Sequence, residues 1–173
     1  NTLGGADPAA GNVVAYNYGA GIHLRDRYAA AGEVRNNRVF RNLGYGILLG
    51  SGPGPLLNDP GDTDGYLNFP VLVSAQVADG QLTVEGFARP NAVIDLYLSA
   101  PTTDGFGQGQ VLLATLIEGS AADTDPGTGS YGPGPVNSHL VGSDTTNLFS
   151  FTSPLPDDVN GGSLLTAAAI GST

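Results

Sequence analysis

NVVAYNYGAGIHL, Asn12 to Leu24, is followed by NRVFRNLGYGILL, Asn37 to Leu49. Asn12 aligns with Asn37, Asn17 with Asn42, Gly19 with Gly44, Gly21 with Gly46, Ile22 with Ile47 and Leu24 with Leu49, at a constant offset of 25 residues. A strand-like apolar run and a glycine-rich corner repeated every ~20–50 residues mark a solenoid whose turns cover one another's apolar faces. The pattern predicts two coils of parallel β-helix over residues 11–50. Val14, Ile22 and Leu24, over Val39, Ile47 and Leu49, are expected to stack inward. The paired glycines would turn the corners. Asn17 and Asn42 fit corners too, because asparagine tolerates left-handed backbone and bonds neighbouring peptides. A stacked asparagine ladder follows.

The whole chain of 173 residues contains 27 Gly and 12 Pro, which favours tight corners over long helices and an all-β fold. Cysteine is absent, so no disulfide framework or thiolate metal site exists. Methionine is absent too, which suggests a mature or excised chain. Up to residue 50, five arginines face Asp7, Asp26 and Glu33, giving +2; beyond it Arg89 alone faces thirteen acids, giving −12 and the net −10. Such acidity argues against nucleic acid or anionic membrane as a partner and favours divalent cations. No stretch approaches the ~20 apolar residues of a membrane span.

Residues 1–10 (NTLGGADPAA) are small and polar and read as an N-terminal arm. Arg25 to Arg35 is longer and more charged than a corner requires and is expected to project as a loop. Two coils are fewer than a solenoid needs, so the first should leave an open end for something else to cover. Residues 51–65, opening SGPGPLLNDPGDTD, read as an Asp/Gly/Pro-rich junction. Residues 66–173 then alternate as a sandwich, with strands expected at Val71–Val77, Gln81–Ala88, Val93–Ser99, Gln110–Glu118, Leu148–Thr152 and Leu164–Ile170. The clearest is the third, where Ile94, Leu96 and Leu98 alternate with Val93, Asp95 and Tyr97 as in a half-buried strand. Ala78-Asp79-Gly80 and Arg89-Pro90-Asn91 are the turns. Gly119 to Asn147 reads as a long loop. An immunoglobulin-like sandwich needs about seven strands. Six are found, which predicts a sandwich lacking its last strand, with a groove between edge strands left for sequence beyond residue 173 or another chain.

The run NNRVFRNLGYGILLG, then NDPGDTDGYLNFPVL, then QLTVEGFARPNAVIDLYLSAP, resembles the tail region of bacterial secreted or cell-surface proteins with right-handed parallel β-helix repeats followed by an Ig-like domain. The resemblance covers nearly the whole chain. It implies a short right-handed parallel β-helix segment of two coils, an Ig-like antiparallel β-sandwich and an extracellular setting, and no catalytic residues. Such tails commonly add a strand after a T-A-x-A-x-G-x-T stretch; here Thr166 to Thr173 ends the chain. That departure, with only two coils, suggests a fragment or a subunit completed by its neighbours.

Asn58, Asp59, Asp62 and Asp64, beside Gly65, are the candidate metal ligands. Closely spaced carboxylates on a glycine-bearing loop suit Ca²⁺, which takes six to eight oxygens, although Pro60 and the lack of a closing glutamate break the EF-hand pattern. The alternative is a solvated turn. Asp123 with Asp125, and Asp157, Asp158 and Asn160, are weaker candidates. His23 and His139 stand alone and read as structural. Asp26 and Glu33 could be a glycosidase pair only if folded about 5–10 Å apart. Tyr16, Tyr18, Tyr28 and Tyr45 read as a sugar-stacking platform or as packing beneath the arginine loop. Together these features predict a non-enzymatic, extracellular or cell-surface structural protein. It would self-associate through β-strand edges into a fibre or sheath, by strand donation from the amino-terminal segment, and be stiffened by Ca²⁺. The rival is a carbohydrate-binding or polysaccharide-degrading piece of a larger β-helix protein.

Overall fold

The structure is a computed structural model that describes residues 2–25, 33–102, 105–125 and 127–170. Among these the fold is all-β, apart from two 3-10 turns at Pro8–Ala10 and Pro60–Asp62. The first coil runs through β1 (Thr2–Gly4), β2 (Val13–Ala15) and β3 (Ile22–Leu24), and the second through β4 (Glu33–Arg35), β5 (Arg38–Phe40) and β6 (Ile47–Leu49). Each strand of the first coil pairs in parallel with its counterpart in the second: β1 with β4, β2 with β5 and β3 with β6. Val14 sits over Val39 and Ile22 over Ile47, in the register the repeat predicts. Thr2–Gly4 is thus part of the coil stack and not a detached arm.

The asparagine ladder is formed. Asn37 Oδ1 accepts from the Asn12 backbone N–H and Nδ2, both at 3.0 Å, and Asn42 Oδ1 accepts from the Asn17 N–H at 3.1 Å and Nδ2 at 2.8 Å. The left-handed corner residues are not the ladder asparagines. They are the residues before them: Tyr16 (φ 60°), Asn36 (φ 56°) and Arg41 (φ 54°). That frees Asn17, Asn37 and Asn42 to aim their side chains along the stack. The repeat glycines Gly21 and Gly44 stand where a Cβ does not fit. A Cβ on Gly44 would lie 2.8 Å from Gly19 C, and one on Gly21 would lie 2.5 Å from Val39 Cγ1. Close approach of stacked coils, not positive φ, excludes a side chain there.

The second unit packs a four-stranded sheet on a three-stranded one. β7 (Val71–Ala78), β8 (Gln81–Ala88), β11 (Thr128–Tyr131) and β12 (Asp144–Pro154) form the order β11-β12-β8-β7; β9 (Val93–Ala100), β10 (Gln108–Ile117) and β13 (Leu165–Ile170) form β10-β9-β13. All pairings within both sheets are antiparallel. Their shared core holds Leu82, Val84, Ile94, Leu96, Phe149 and Phe151. Asp79 (φ 50°) and Gly80 (φ 72°) make the β7–β8 turn. The expectation of a sandwich lacking its last strand is corrected in its count: among the described residues there are seven strands, because β11 lies inside the supposed loop of residues 119–147. Its four residues, TGSY, bury only Tyr131 and carry no alternation long enough to read.

β9 differs from a half-buried strand in a way that explains the architecture. Ile94 and Leu96 face the sandwich core, yet Asp95, Tyr97 and Ser99 on the opposite face are buried as well. The second coil lies over them. Asp95 Oδ2 accepts from the Asn36 N–H at 2.9 Å and Oδ1 from Thr115 Oγ1 at 2.8 Å. Gln108, only 3% exposed, accepts at Oε1 from the Asn42 N–H at 2.9 Å and from Asn42 Nδ2 at 3.2 Å. Its Nε2 donates to the Asn42 carbonyl at 2.9 Å and the Gly44 carbonyl at 2.8 Å. Gln108 is therefore a third rung of the ladder, supplied by the sandwich.

A buried polar group stripped of its partner costs about 1–3 kcal/mol. Gln108→Ala strips several at once and should lower unfolding free energy by about 2–4 kcal/mol by the same reasoning. Urea denaturation checks this; a loss within error of zero would show that water replaces the amide.

Candidate functional site

Two places could carry function: the acidic junction and a cavity between the second coil and the sandwich. In the junction the four metal-ligand candidates do not converge. Asn58 spends its side chain on structure, donating from Nδ2 to the Phe69 carbonyl at 2.9 Å and the Tyr131 hydroxyl at 2.8 Å and accepting at Oδ1 from the Phe69 N–H at 2.9 Å. Burial above all pushes the Tyr131 hydroxyl up to about 12, so it stays neutral to receive that bond. Asp59 Oδ2 accepts from Thr63 Oγ1 and the Asp64 N–H, and Asp64 Oδ1 accepts from the Tyr66 N–H at 2.9 Å. Asp62 Oδ1 accepts from the Asn68 N–H at 2.9 Å, and its Oδ2 lies 3.0 Å from Arg89 Nε.

Arg89 also donates from its other arm to Asp144 Oδ2 at 3.0 Å. Asp144, which sequence reading missed, is buried at the start of β12 and also accepts from the Asn68 Nδ2, Gly61 N–H and Thr145 N–H groups. The guanidinium of the one arginine in the acidic part thus lies where carboxylates crowd. These four residues do not fit a Ca²⁺ cage, since that requires six to eight converging oxygens and most of theirs are already bonded to N–H or O–H donors. Among the described residues no three His, Asp or Glu groups are placed to hold a metal ion.

Of the weaker candidates, Asp123 and Asn160 are likewise spent on loop structure, while Asp157 and Asp158 are exposed. Asp123 Oδ1 accepts from the Asp125 and Ser150 N–H groups and Oδ2 from the Gly119 N–H, and Asn160 Oδ1 accepts from the Gly162 N–H. His23 Nε2 is 2.7 Å from the Gly50 carbonyl. His139 packs against Phe106 with centroids 5.8 Å apart. Glu33 is 3.5 Å from Arg35; Asp26, the other half of the expected glycosidase pair, lies outside the described residues, as do Arg27 and Tyr28. Among the described residues, Tyr16 and Tyr45 pack on different rings, Phe40 and Phe106. Tyr45 packs on Phe106, while Tyr16 and Tyr18 are exposed, at 71% and 93%.

The cavity has a volume of about 370 Å³, and among the described residues its lining holds one histidine, His139, and no Asp, Glu, Lys or Arg. Coil residues Val34 and Leu49 form one side, Phe69, Leu72 and Phe106 another, and β13 closes it along Leu165 to Ala169. Burial of Tyr97 in the same wall, with Asp95 adding to it, raises its phenol far above the ordinary tyrosine range and keeps it neutral.

Arg89→Ala leaves Asp144 buried without its countercharge and should cost about 2–3 kcal/mol, less than a fully buried pair because Arg89 is partly exposed. Added Ca²⁺ or chelator should move the Tm of the parent chain by less than about 1 °C, as a ligand that does not bind the folded state cannot stabilise it. Burial raises the Asp62 pKa, and the nearby Asp144 and Asp59 raise it further, against the Asn68 N–H and Arg89, which lower it. Between the ordinary and raised values the folded chain holds a proton that the unfolded chain has released, so stability falls as pH rises through that interval. Denaturation of Asp62→Asn across acid pH should lack that fall; an unchanged profile would refute it. A scan of family models, a search of curated proteins and a search of solved structures each return no match for the chain.

Proposed function

We propose that the chain is a non-catalytic structural module of an extracellular or cell-surface protein. In this reading two coils of a right-handed parallel β-helix sit on an Ig-like sandwich and join further β structure through exposed strand edges. One observation carries it. The ladder residues of the second coil, Asn37 and Asn42, are 4% and 7% exposed, whereas their repeat equivalents Asn12 and Asn17 are exposed. A Cβ on Gly44 would strike the first coil, and one on Gly19 would meet nothing within 4 Å. The first coil thus presents outward the same surface that, one repeat later, another coil covers.

The backbone agrees. The Arg38 N–H donates to the Asn12 carbonyl at 2.8 Å and the Tyr16 N–H to the Arg41 carbonyl at 3.2 Å. In β2 the even-numbered residues are therefore turned toward the second coil and the amides of Val13 and Ala15 away from it. Such an edge is a template for pairing. Calcium is left out of the reading because the junction already has Arg89. The extracellular setting rests on the resemblance to secreted β-helix proteins.

A second reading, glycan binding, draws on the outer surface of the coils. Arg41 lies 5.9 Å from the Tyr16 ring centroid and donates to its hydroxyl at 3.0 Å, and Arg38 lies 5.5 Å from the Phe40 centroid. Exposed rings beside guanidinium groups suit sugar acids.

Sedimentation velocity over a wide concentration range should show reversible self-association that Ala15→Pro weakens, since proline removes an outward N–H while leaving the inward pairing intact. A parent chain monomeric at every concentration, or association indifferent to Ala15→Pro, would count against the assembly reading. A glycan array bound by the parent and not by Tyr16→Ala would favour the second.

A further inference from the structure

We infer that the cavity between the second coil and the sandwich is an acceptor site for one extended, uncharged peptide strand donated by a partner polypeptide, which pairs with the free edge of β13. This deepens the proposed assembly through strand edges and rests on it. Leu165, Thr166, Ala167, Ala168 and Ala169 all line the cavity. Successive side chains of a strand point to opposite faces, so a cavity touched by five in a row faces the backbone edge itself.

The direction of the amides follows from the ladder on the other side. The Ser99 N–H donates to the Leu164 carbonyl at 2.8 Å, and β13 runs antiparallel to β9 without a register shift. Residues 164, 166, 168 and 170 are therefore turned toward β9. The N–H and C=O groups of Leu165, Ala167 and Ala169 are turned away, into the cavity. The edges of β10 and β7 each carry a side-chain hydrogen bond: Arg38 Nε donates to the Gln110 carbonyl of β10 at 2.8 Å, and Asn137 Nδ2 donates to the Leu72 and Val73 carbonyls of β7 at 2.9 and 3.2 Å.

The chemistry of the walls selects the occupant. An apolar small molecule would cover the side chains yet leave three residues' worth of backbone groups without partners, at a cost of about 1–3 kcal/mol for each buried group. An extended peptide answers both, with main chain on the edge and alternate side chains in the pocket. Val34 and Leu49 of the coils and Val71 and Leu72 of β7 line the same cavity as this edge, so an occupant would lie between the two units. Among the described residues the lining has no carboxylate, lysine or arginine to pair with, which disfavours a segment bearing charge on its inward face.

The probe is an acetylated, amidated heptapeptide of alternating valine and threonine, titrated calorimetrically into the whole chain. Saturable one-to-one binding is expected. Methylating the alternate peptide nitrogens on one edge, and separately Ala167→Pro, should each weaken it by about tenfold or more, the equivalent of one lost hydrogen bond. Proline at 167 removes a cavity-facing N–H and spares the bonds to β9; should that variant fail to fold, the methylated peptide tests the same bond on the unaltered protein. Decanoate supplies apolar surface without an amide edge and should bind at least about tenfold more weakly. Peptide binding that ignores methylation, or decanoate binding where the peptide does not, would overturn the site. Ala15→Pro reports on the first coil and Ala167→Pro on β13, so coil association and strand acceptance can fail separately.

Discussion

A buried side-chain amide must have its hydrogen bonds met inside the protein, and the coils depend on that constraint. Asn37 and Asn42 are almost wholly inaccessible, and each satisfies its oxygen with the coil before it. The demand then passes down the stack, because the backbone N–H of Asn42 and its carbonyl need partners in turn. Gln108 supplies both from one side chain. One methylene longer than asparagine, it reaches from β10 into the coil where a third repeat would otherwise stand. The sandwich is in this sense the last coil's neighbour, and β9 buries Asp95 and Tyr97 on the face that would otherwise be solvated.

The repeat was legible because stacking writes itself into sequence. A constant offset, paired asparagines and inward aliphatic residues are all local, and the parallel pairings reproduce that offset in β2–β5 and β3–β6. β1 and β4 were not legible, since Thr2 pairs with Glu33 and no shared pattern links the two segments. Six sandwich strands were legible from alternation, while β11 was too short and too polar. Gln108 left no signal: a glutamine near the start of a strand resembles any surface residue until the coil beneath it is in place.

The junction shows the same limit in electrostatic form. Clustered aspartates pointed in sequence to Ca²⁺, and nothing local pointed to the positive charge that Arg89 brings among them from some 25 residues away. Arg89 bridges Asp62 on the junction and Asp144 on β12, fixing the entry into β7 against an inner strand of the same sheet. A guanidinium offers two donors in a fixed plane and so sets orientation as well as charge. That suits a junction that must hold two differently built units in one register.

The two ends of the ladder are unequal, and the inequality has a direction. Downstream, polar side chains from Asp95 and Gln108 meet the coil's amides and end the repeat without offering another edge. Upstream, Asn12 and Asn17 repeat the chemistry of Asn37 and Asn42 at an exposed surface. In the proposed assembly, docking on the first coil would be heterologous, because the capped end of the same stack has no matching coil edge to offer. A closed, two-fold symmetric pairing would require the first coil to meet its own copy, strand against strand in opposite senses, and the asparagine ladder depends on coils that run the same way. On that proposal, parallel stacking would disfavour a symmetric dimer, and the edge of β13 would be a second acceptor on the same chain.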